Sequence, residues 1–100
     1  LNKQRSVTEN GDTVNGVGDQ PNQHDILTGT NADGTASDLT CNNWTSNTDQ
    51  SRATVGHFDR VGGGAMAESW NAAHASRGCS QEQLQASGGN GYYYCFATGE

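Results

Sequence analysis

The sequence has few of the residues from which a small domain usually builds a self-sufficient core. Only 31% of its 100 residues are hydrophobic, and it has one proline and one methionine. A chain of this length forms one domain at most and buries a modest share of its surface. Such a domain usually needs a disulfide, a metal or a partner. Because only 16% of the residues are charged, the chain lacks the charge density that keeps chains disordered, and we expect a folded, loop-rich domain.

Positive charge is scarce. Five basic residues face eleven acidic ones, giving a net charge of −6. The basic residues are scattered along the chain, whereas a nucleic-acid-binding protein needs clustered positive charge to displace counterions. Binding to an anionic membrane surface is disfavoured for the same reason. No apolar run approaches the roughly 20 residues of a membrane helix. We therefore expect neither a nucleic-acid partner nor membrane insertion.

The cysteine count is odd, with three in the chain. In a chain rich in Asn, Thr and Gly, paired structural cysteines are more plausible than reactive ones. Pairing indicates an oxidising compartment, so we expect an extracellular or cell-surface location, with the periplasm in transit. Three thiols cannot all pair internally. One of them is therefore free or bonded to a second polypeptide.

Residues 1–38 form an irregular, loop-rich segment with turn dipeptides and thin apolar content. The segment has one predicted strand, over 25–29. We expect residues 1–38 as a whole to cover, or drape over, a core that is supplied by something outside this segment. It lacks the monotony of a linker.

Residues 39–100 carry a tighter pattern. Leu39, Cys41 and Trp44 favour a strand with one side towards the core, and 53–58 favours a second. A third short element is predicted to begin at Ser69. A helix is predicted over 80–85, since Ser80 is a suitable N-cap with a glutamine three residues on.

The last predicted element is an aromatic β run over 92–97. Alternation along it would place Tyr93 and Cys95 on one side of the strand, and Tyr92, Tyr94 and Phe96 on the other. One of these two sets would face the core, and the other would be free to meet a ligand.

Three phrases in this half occur in a recognisable order: Thr40 to Asn47 (TCNNWTSN), Ser69 to His74 (SWNAAH) and Gly91 to Ala97 (GYYYCFA). Together they resemble the C-terminal half of the endostatin-like domains, a branch of the C-type-lectin-like fold. They are most similar to a bacterial group of secreted and surface proteins. The resemblance covers about residues 28–97. It implies an α+β, disulfide-stapled fold of short antiparallel strands with one short helix.

The resemblance also implies a cysteine pairing. In the family an inner disulfide joins the cysteine of the Cys-x-x-Trp phrase to the cysteine before the final strand, which would here bond Cys41 to Cys79. Cys95 would pair with a cysteine near the N-terminus of the domain, but no cysteine precedes Cys41. Either a second polypeptide completes the domain through Cys95, or Cys95 is a buried free thiol.

No catalytic motif is present, and we predict that the protein is not an enzyme. His24, His57 and His74 are spaced too widely for a helical metal pair, and there is no His-Glu-x-x-His. His57 and Asp59 share one face of a predicted strand, where they could ligate a metal or orient a proton relay. The favoured alternative is an exposed strand face on which the aspartate fixes the histidine tautomer. No Gly-x-Ser-x-Gly element marks a nucleophile.

No cofactor is predicted, and calcium is the one cation considered further. Asn31 and Asp33 offer alternating oxygen ligands beside a turn glycine, as hard cations prefer. The stretch lacks the closing glutamate of a full calcium loop. A simple turn is the favoured alternative interpretation of these residues.

The aromatic residues indicate a core and a contact surface. The predicted binding surface consists of Trp44, His57, Trp70, Asn71, Tyr92 and Tyr94. The function predicted from this surface and the resemblance is non-catalytic binding or adhesion towards a protein or carbohydrate ligand. The alternative is a globular subunit of an extracellular fibre or pilus-like assembly, complemented by a second chain.

Overall fold

A four-stranded sheet organises the computed structural model, which describes residues 3–59 and 70–96. The strands are β1 (Asp25–Leu27), β2 (Thr54–His57), β3 (His74–Ala75) and β4 (Gly89–Tyr93), in the order β3-β2-β1-β4. The pairs β1–β2 and β2–β3 are antiparallel, whereas β1–β4 is parallel. The predicted α+β class is therefore confirmed, but the sheet is mixed and not purely antiparallel.

The described helices are short. They are a 3₁₀ turn (Lys3–Arg5), α1 (Cys41–Trp44) and α2 (Gln81–Ala86). The predicted helix is confirmed in α2: Ser80 is its N-cap, and the Ser80 hydroxyl accepts from the Gln83 amide at 3.2 Å. The reciprocal half of a capping box, in which the Gln83 side chain would accept from the Ser80 amide, is not formed, because Gln83 Oε1 is buried without a partner among the described residues. None of these helices has the length and apolar character needed to cross a bilayer.

The prediction of a strand through Cys41 and Trp44 is wrong. All four residues of α1 have positive φ, between 52° and 66°. This left-handed conformation costs about 1–2 kcal/mol per residue, and asparagine adopts it more readily than most. Asn42 and Asn43 occupy the middle of the turn, and Thr40 Oγ1 accepts from the Asn43 amide at 2.9 Å. The turn leaves the Trp44 side chain 44% exposed.

The last strand lies earlier than the aromatic run predicted. It covers Gly89–Tyr93, and residues 94–96 are outside it. Tyr93 is 66% exposed. Cys95 is a free, exposed thiol, so the alternative of a buried thiol is wrong. The element predicted to begin at Ser69 starts outside the described residues; the strand that follows it is β3.

The described core has two small parts. In the first, Val14, Ile26 and Phe58 are buried, with Tyr92 and Tyr94 packed against them. Two of the three buried residues come from the segment 1–38. That segment therefore supplies part of the core and the inner strand β1, and does not drape over a core built elsewhere.

The second part of the core surrounds a disulfide. Cys41 and Cys79 are bonded, as the resemblance implied, across a sequence separation of 38. Both are buried with Ala53, and Leu27 packs against them. The disulfide ties α1 to the residue before the cap of α2.

Candidate functional site

All three histidines of the sequence lie around one carboxylate, that of Asp25. The distances from Asp25 Oδ1 to the Nε2 atoms of His57, His74 and His24 are 2.7, 3.1 and 3.6 Å. His57 Nε2 and His74 Nε2 are 3.1 Å apart. We call these four residues the histidine cluster. The spacing of the histidines along the chain argued only against a helical metal pair, and the one pair predicted from the sequence was His57 with Asp59.

The register of the sheet brings three members of the cluster to one face. Asp25 is the cross-strand partner of His57, and Val55 is the partner of His74. Cross-strand partners share a face, and so do residues two apart on a strand. Val55 and His57 are two apart on β2. Asp25, His57 and His74 therefore point to the same side.

His24 joins the cluster from the residue before β1. Its ring stacks on that of His57, with centroids 3.7 Å apart and planes 19° apart. His24 Nδ1 lies 3.0 Å from Asp59 Oδ1. The Val17 amide donates to Asp59 Oδ2 at 2.7 Å, which orients the carboxylate. Asp59 thus supports His24.

The predicted pairing of His57 with Asp59 on an exposed strand face is not what the structure contains. Asp59 pairs with His24, and the partner of His57 is Asp25. His57 is 6% exposed and belongs to the interior. The sequence pattern gave the correct strand but could not show which carboxylate the sheet brings opposite the ring.

The electrostatics of the cluster favour a carboxylate beside a neutral ring. Burial raises the pKa of Asp25, but hydrogen bonds and charge from His57 and His74 outweigh it, and the net pKa is below the usual range. Burial, followed by the nearby His57, lowers the pKa of His24 by more than Asp59 and Asp25 raise it. Asp25 is therefore ionised and His24 neutral at pH 7.

A second feature is a cleft with a volume of about 490 Å³, which we call the aromatic cleft. Its lining residues in the described part of the chain are Leu27, Thr28, Thr30, Gly34, Trp44, Trp70, Asn71, Tyr93, Tyr94 and Phe96. The ring centroids of Trp70 and Tyr94 are 5.7 Å apart, and those of Trp44 and Tyr93 are 6.4 Å apart. The Tyr94 hydroxyl donates to the Trp70 carbonyl at 2.8 Å. The rings are therefore held against one another.

Four of the six residues of the predicted binding surface line the aromatic cleft, and two do not. Trp44, Trp70, Asn71 and Tyr94 all line the aromatic cleft. His57 is buried, and Tyr92 packs on the core containing Ile26. The prediction for His57 is therefore wrong, whereas Tyr92 is partly buried, as Tyr94 is, and does not line this cleft.

Asn71 is a buried lining residue of the cleft and is held in place by hydrogen bonds. The residue is 7% exposed, and its side-chain amide donates to the Asn31 carbonyl at 3.1 Å. Its carbonyl accepts from the Thr30 hydroxyl at 2.9 Å and also from the Thr28 hydroxyl. These bonds fasten the residue after Trp70 to the segment after β1.

Two exposed members of the cleft, Tyr93 and Phe96, were missing from the predicted surface. Both belong to the aromatic run, and alternation had assigned Tyr93 to the side opposite Tyr92 and Tyr94. The run ends as a strand at Tyr93. Strand alternation therefore does not decide which of the following side chains reach the cleft.

The calcium candidate lies in an exposed turn. Asp33 Oδ1 accepts from the Thr35 amide at 3.0 Å and from its hydroxyl at 2.6 Å. These bonds lower the pKa of Asp33. Asn31 Nδ2 donates to the Thr35 hydroxyl at 3.0 Å. The bonds are those of the turn interpretation, and a calcium site stays a hypothesis.

No protein-family model matches the chain, and neither does a curated protein or a solved structure. The resemblance to endostatin-like domains therefore stays a prediction.

Proposed function

We propose that this chain is a non-catalytic extracellular binding domain that holds its ligand in the aromatic cleft. The observation that carries the proposal is the gathering of four exposed aromatic side chains on one concave surface. The exposed fractions are 44% for Trp44, 43% for Trp70, 66% for Tyr93 and 60% for Phe96. Ligand sites are typically concave and aromatic, with a few polar groups that orient the ligand.

The cost of this exposure supports a binding role. An aromatic side chain can bury about 150–250 Å², and apolar surface removed from water contributes about 25 cal/mol per Å². A chain with so few apolar residues leaves these four rings partly in water. A contiguous exposed patch of this kind marks an interaction site, whereas single exposed apolar residues are ordinary.

The cleft is also held in shape before any ligand arrives. Tyr94 stacks on Phe96 at 5.6 Å and bonds to the Trp70 carbonyl, while Asn71 is anchored through both its amide and its carbonyl. Side chains that are already ordered lose less conformational entropy on binding.

A neutral carbohydrate is the ligand class that we propose for the aromatic cleft. A sugar ring has an apolar face of C–H groups, which suits the exposed rings, and a rim of hydroxyls. Thr28 and Thr30 supply hydroxyl oxygens at the cleft, which can accept bonds from that rim. The net charge of −6 disfavours an acidic ligand. A protein segment is the second choice, because tyrosine and tryptophan also dominate protein contacts.

The proposal includes the fold family and the location. A disulfide-stapled α+β domain suits the endostatin-like branch of the C-type-lectin-like fold and a secreted or surface-displayed bacterial adhesion protein. The disulfide between Cys41 and Cys79 supports an oxidising compartment.

A glycan array probed with the full chain tests the proposal. Trp44→Ala and Tyr93→Ala should each weaken binding to any retained glycan about tenfold or more, a loss of about 1.4 kcal/mol or more. Val17→Ala is the matched control, because Val17 is 67% exposed and does not line the cleft. Binding that survives both cleft substitutions, or an array without any retained glycan, would count against a carbohydrate ligand.

The alternative function, a subunit of an extracellular assembly, has one specific observation in its favour. Cys95 is exposed and free, while the other two cysteines of the chain are bonded to each other. Cys95 is therefore available to a second polypeptide. Intact mass spectrometry of native material with and without reductant decides this point. An added mass released by reductant would support the assembly, whereas the mass of this chain alone would reject a covalent partner.

A further inference from the structure

We infer that the histidine cluster, formed by His24, Asp25, His57 and His74, is a binding site for a divalent transition-metal ion, with zinc the best match. Nothing in the aromatic-cleft proposal requires such a site. Its ligands would come from the start of β1, the end of β2 and the start of β3. The ion would therefore join three neighbouring strands.

The spacing of the donor atoms supports the inference. Donor atoms of His24, Asp25 and His57 all lie within 4.8 Å of one another. Zinc bonds of about 2.0–2.1 Å in a tetrahedral arrangement place the ligand atoms about 3.3 Å apart. His74 Nε2 lies outside this three-residue group and approaches Asp25 Oδ1 and His57 Nε2, each at 3.1 Å. Together with the separations of 2.7 and 3.6 Å from Asp25 Oδ1 to His57 and His24, these values lie on both sides of about 3.3 Å.

The hydrogen bonds on the far side of two rings direct their lone pairs inward. His74 Nδ1 lies 2.9 Å from the Ala75 carbonyl, which can only accept. His24 Nδ1 lies 3.0 Å from the carboxylate of Asp59. In the neutral rings Nδ1 must therefore carry the hydrogen, and Nε2 presents a lone pair towards Asp25. A carbonyl or carboxylate behind the ring is the usual support of a metal-ligating histidine.

A purely structural hydrogen-bond network explains the cluster less well. With the hydrogen on Nδ1, the Nε2 lone pairs of His24 and His74 face the Asp25 carboxylate oxygen, and this repulsion is relieved only by added protons on the rings or by a cation between them. One proton can satisfy one such contact, whereas a metal ion satisfies all of them. In addition, Asp25 Oδ2 is buried without a hydrogen-bond partner among the described residues, although buried polar atoms are normally paired.

The donor types narrow the choice of ion. Calcium and magnesium prefer shells made entirely of oxygen. Imidazole nitrogens with one carboxylate suit zinc, and also copper, nickel or cobalt. The His74 side chain is 41% exposed whereas that of Asp25 is 3% exposed. The site is therefore open to solvent at His74, which gives the ion a route in.

Titration of metal-free full-length chain, without a histidine tag, tests the inference. Zinc added in a calorimeter should bind at one ion per chain. Cobalt should give the visible absorption bands of a four-coordinate site. His74→Ala should weaken zinc binding at least about tenfold, and Asp59→Asn, which removes the carboxylate behind the His24 ring, should weaken it about 10–100-fold. Asp38→Asn is the control, because this exposed carboxylate lies outside the cluster and should leave the affinity unchanged.

Three results would overturn the inference. They are an absence of zinc binding, a cobalt spectrum of the fully hydrated ion, and binding that is equally tight in wild type, His74→Ala and Asp59→Asn. The last would mean adventitious binding only. The cobalt spectrum of the wild-type chain does not depend on any variant folding. Trp44→Ala should keep its zinc affinity, which separates this test from that of the cleft.

Discussion

Asp25 lies directly across the antiparallel pair from His57, and Asp25 Oδ1 is 2.7 Å from His57 Nε2. The two residues are 4% and 6% exposed. A buried carboxylate is tolerated only when it is paired, since an isolated charge away from water costs far more than a hydrogen bond returns. The contact therefore makes the stability of the sheet depend on the protonation of the cluster.

The first prediction is a loss of stability of the metal-free protein on mild acidification. The pKa of His24 is lower in the folded state than in the unfolded chain. Between these two pKa values, the unfolded chain binds a proton at His24 that the folded chain does not bind. The neutral His24 ring therefore contributes to the free energy of unfolding in full above the pKa of histidine in the unfolded chain, about 6.5. This contribution is lost as the pH falls from there to the folded pKa of His24. Urea unfolding with a chelator should therefore give a smaller free energy at pH 5.5 than at pH 7.5.

His24→Gln is the control for this effect, because it removes the titrating group and should reduce the slope over the same interval. Asp25 acts at lower pH. Its folded pKa is also lowered, so its contribution persists above the unfolded pKa and disappears as the pH falls through the folded pKa. A wild-type free energy that stays level or rises between pH 7.5 and 5.5 would contradict the first prediction.

The second prediction concerns how much the bonded and the free cysteines contribute to the free energy of unfolding. The disulfide between Cys41 and Cys79 closes a loop with a sequence separation of 38. Because the bond restricts the conformational freedom of the unfolded chain, replacing both residues by serine should lower the free energy of unfolding by about 4 kcal/mol. For a domain with two small core clusters, this loss is large. Urea denaturation monitored by tryptophan fluorescence measures it.

Cys95→Ser provides the matched comparison. Cys95 is exposed and takes no part in the described core, so its replacement should change the free energy by less than about 0.5 kcal/mol. Equal losses in the two variants would show that Cys95 has a structural role that its exposure does not indicate.

The third prediction concerns the start of α2. Ser80 Oγ accepts from the Gln83 amide at 3.2 Å and donates to Asp49 Oδ1 at 2.7 Å. Ser80→Ala removes the cap and should cost about 1 kcal/mol. Ser80→Thr keeps a hydroxyl and should cost much less. If the two variants unfold at the same urea concentration, the hydroxyl is not what stabilises this end of the helix.

The elements that could be predicted from the sequence are those with a local cause. β1 and β2 fall within the predicted segments 25–29 and 53–58. These segments could be recognised because they contain β-branched residues and are bounded by turn residues. α2 was found through its N-cap. The left-handed turn α1 was missed, since its apolar spacing also suits a strand. Only the paired asparagines, Asn42 and Asn43, gave a hint of positive φ.

The histidine cluster could not be predicted because its cause is not local. Asp25, His57 and His74 are brought together by the register of three strands, and no spacing rule along the chain encodes that register. The parallel pairing of β1 with β4 is equally non-local. The aromatic cleft was partly predictable, since Trp44 and Trp70 are the only tryptophans in the chain. That they line one cleft is a property of the fold.

The last prediction links the sheet to the cleft through Gly56. A Cβ added at this position of β2 would lie 1.7 Å from the Trp70 carbonyl oxygen and 2.7 Å from Asn71 Cα. These are backbone atoms and cannot rotate away, so Gly56→Ala must displace the segment that carries Trp70. We expect a loss of about 3 kcal/mol or more, at the upper end for overpacked cores. Urea unfolding measures the loss, and a shift in tryptophan emission reports the displacement of Trp70.

Gly18→Ala separates steric overlap from backbone conformation. Gly18 has a φ of +89°, and no atom lies within 4 Å of an added Cβ. Alanine there should cost about 1–2 kcal/mol through the left-handed backbone alone, and it should leave the tryptophan emission unchanged. If Gly56→Ala is no more destabilising than Gly18→Ala, β2 does not approach Trp70 as closely as described. The cleft would then be less firmly supported by the sheet than its hydrogen bonds indicate.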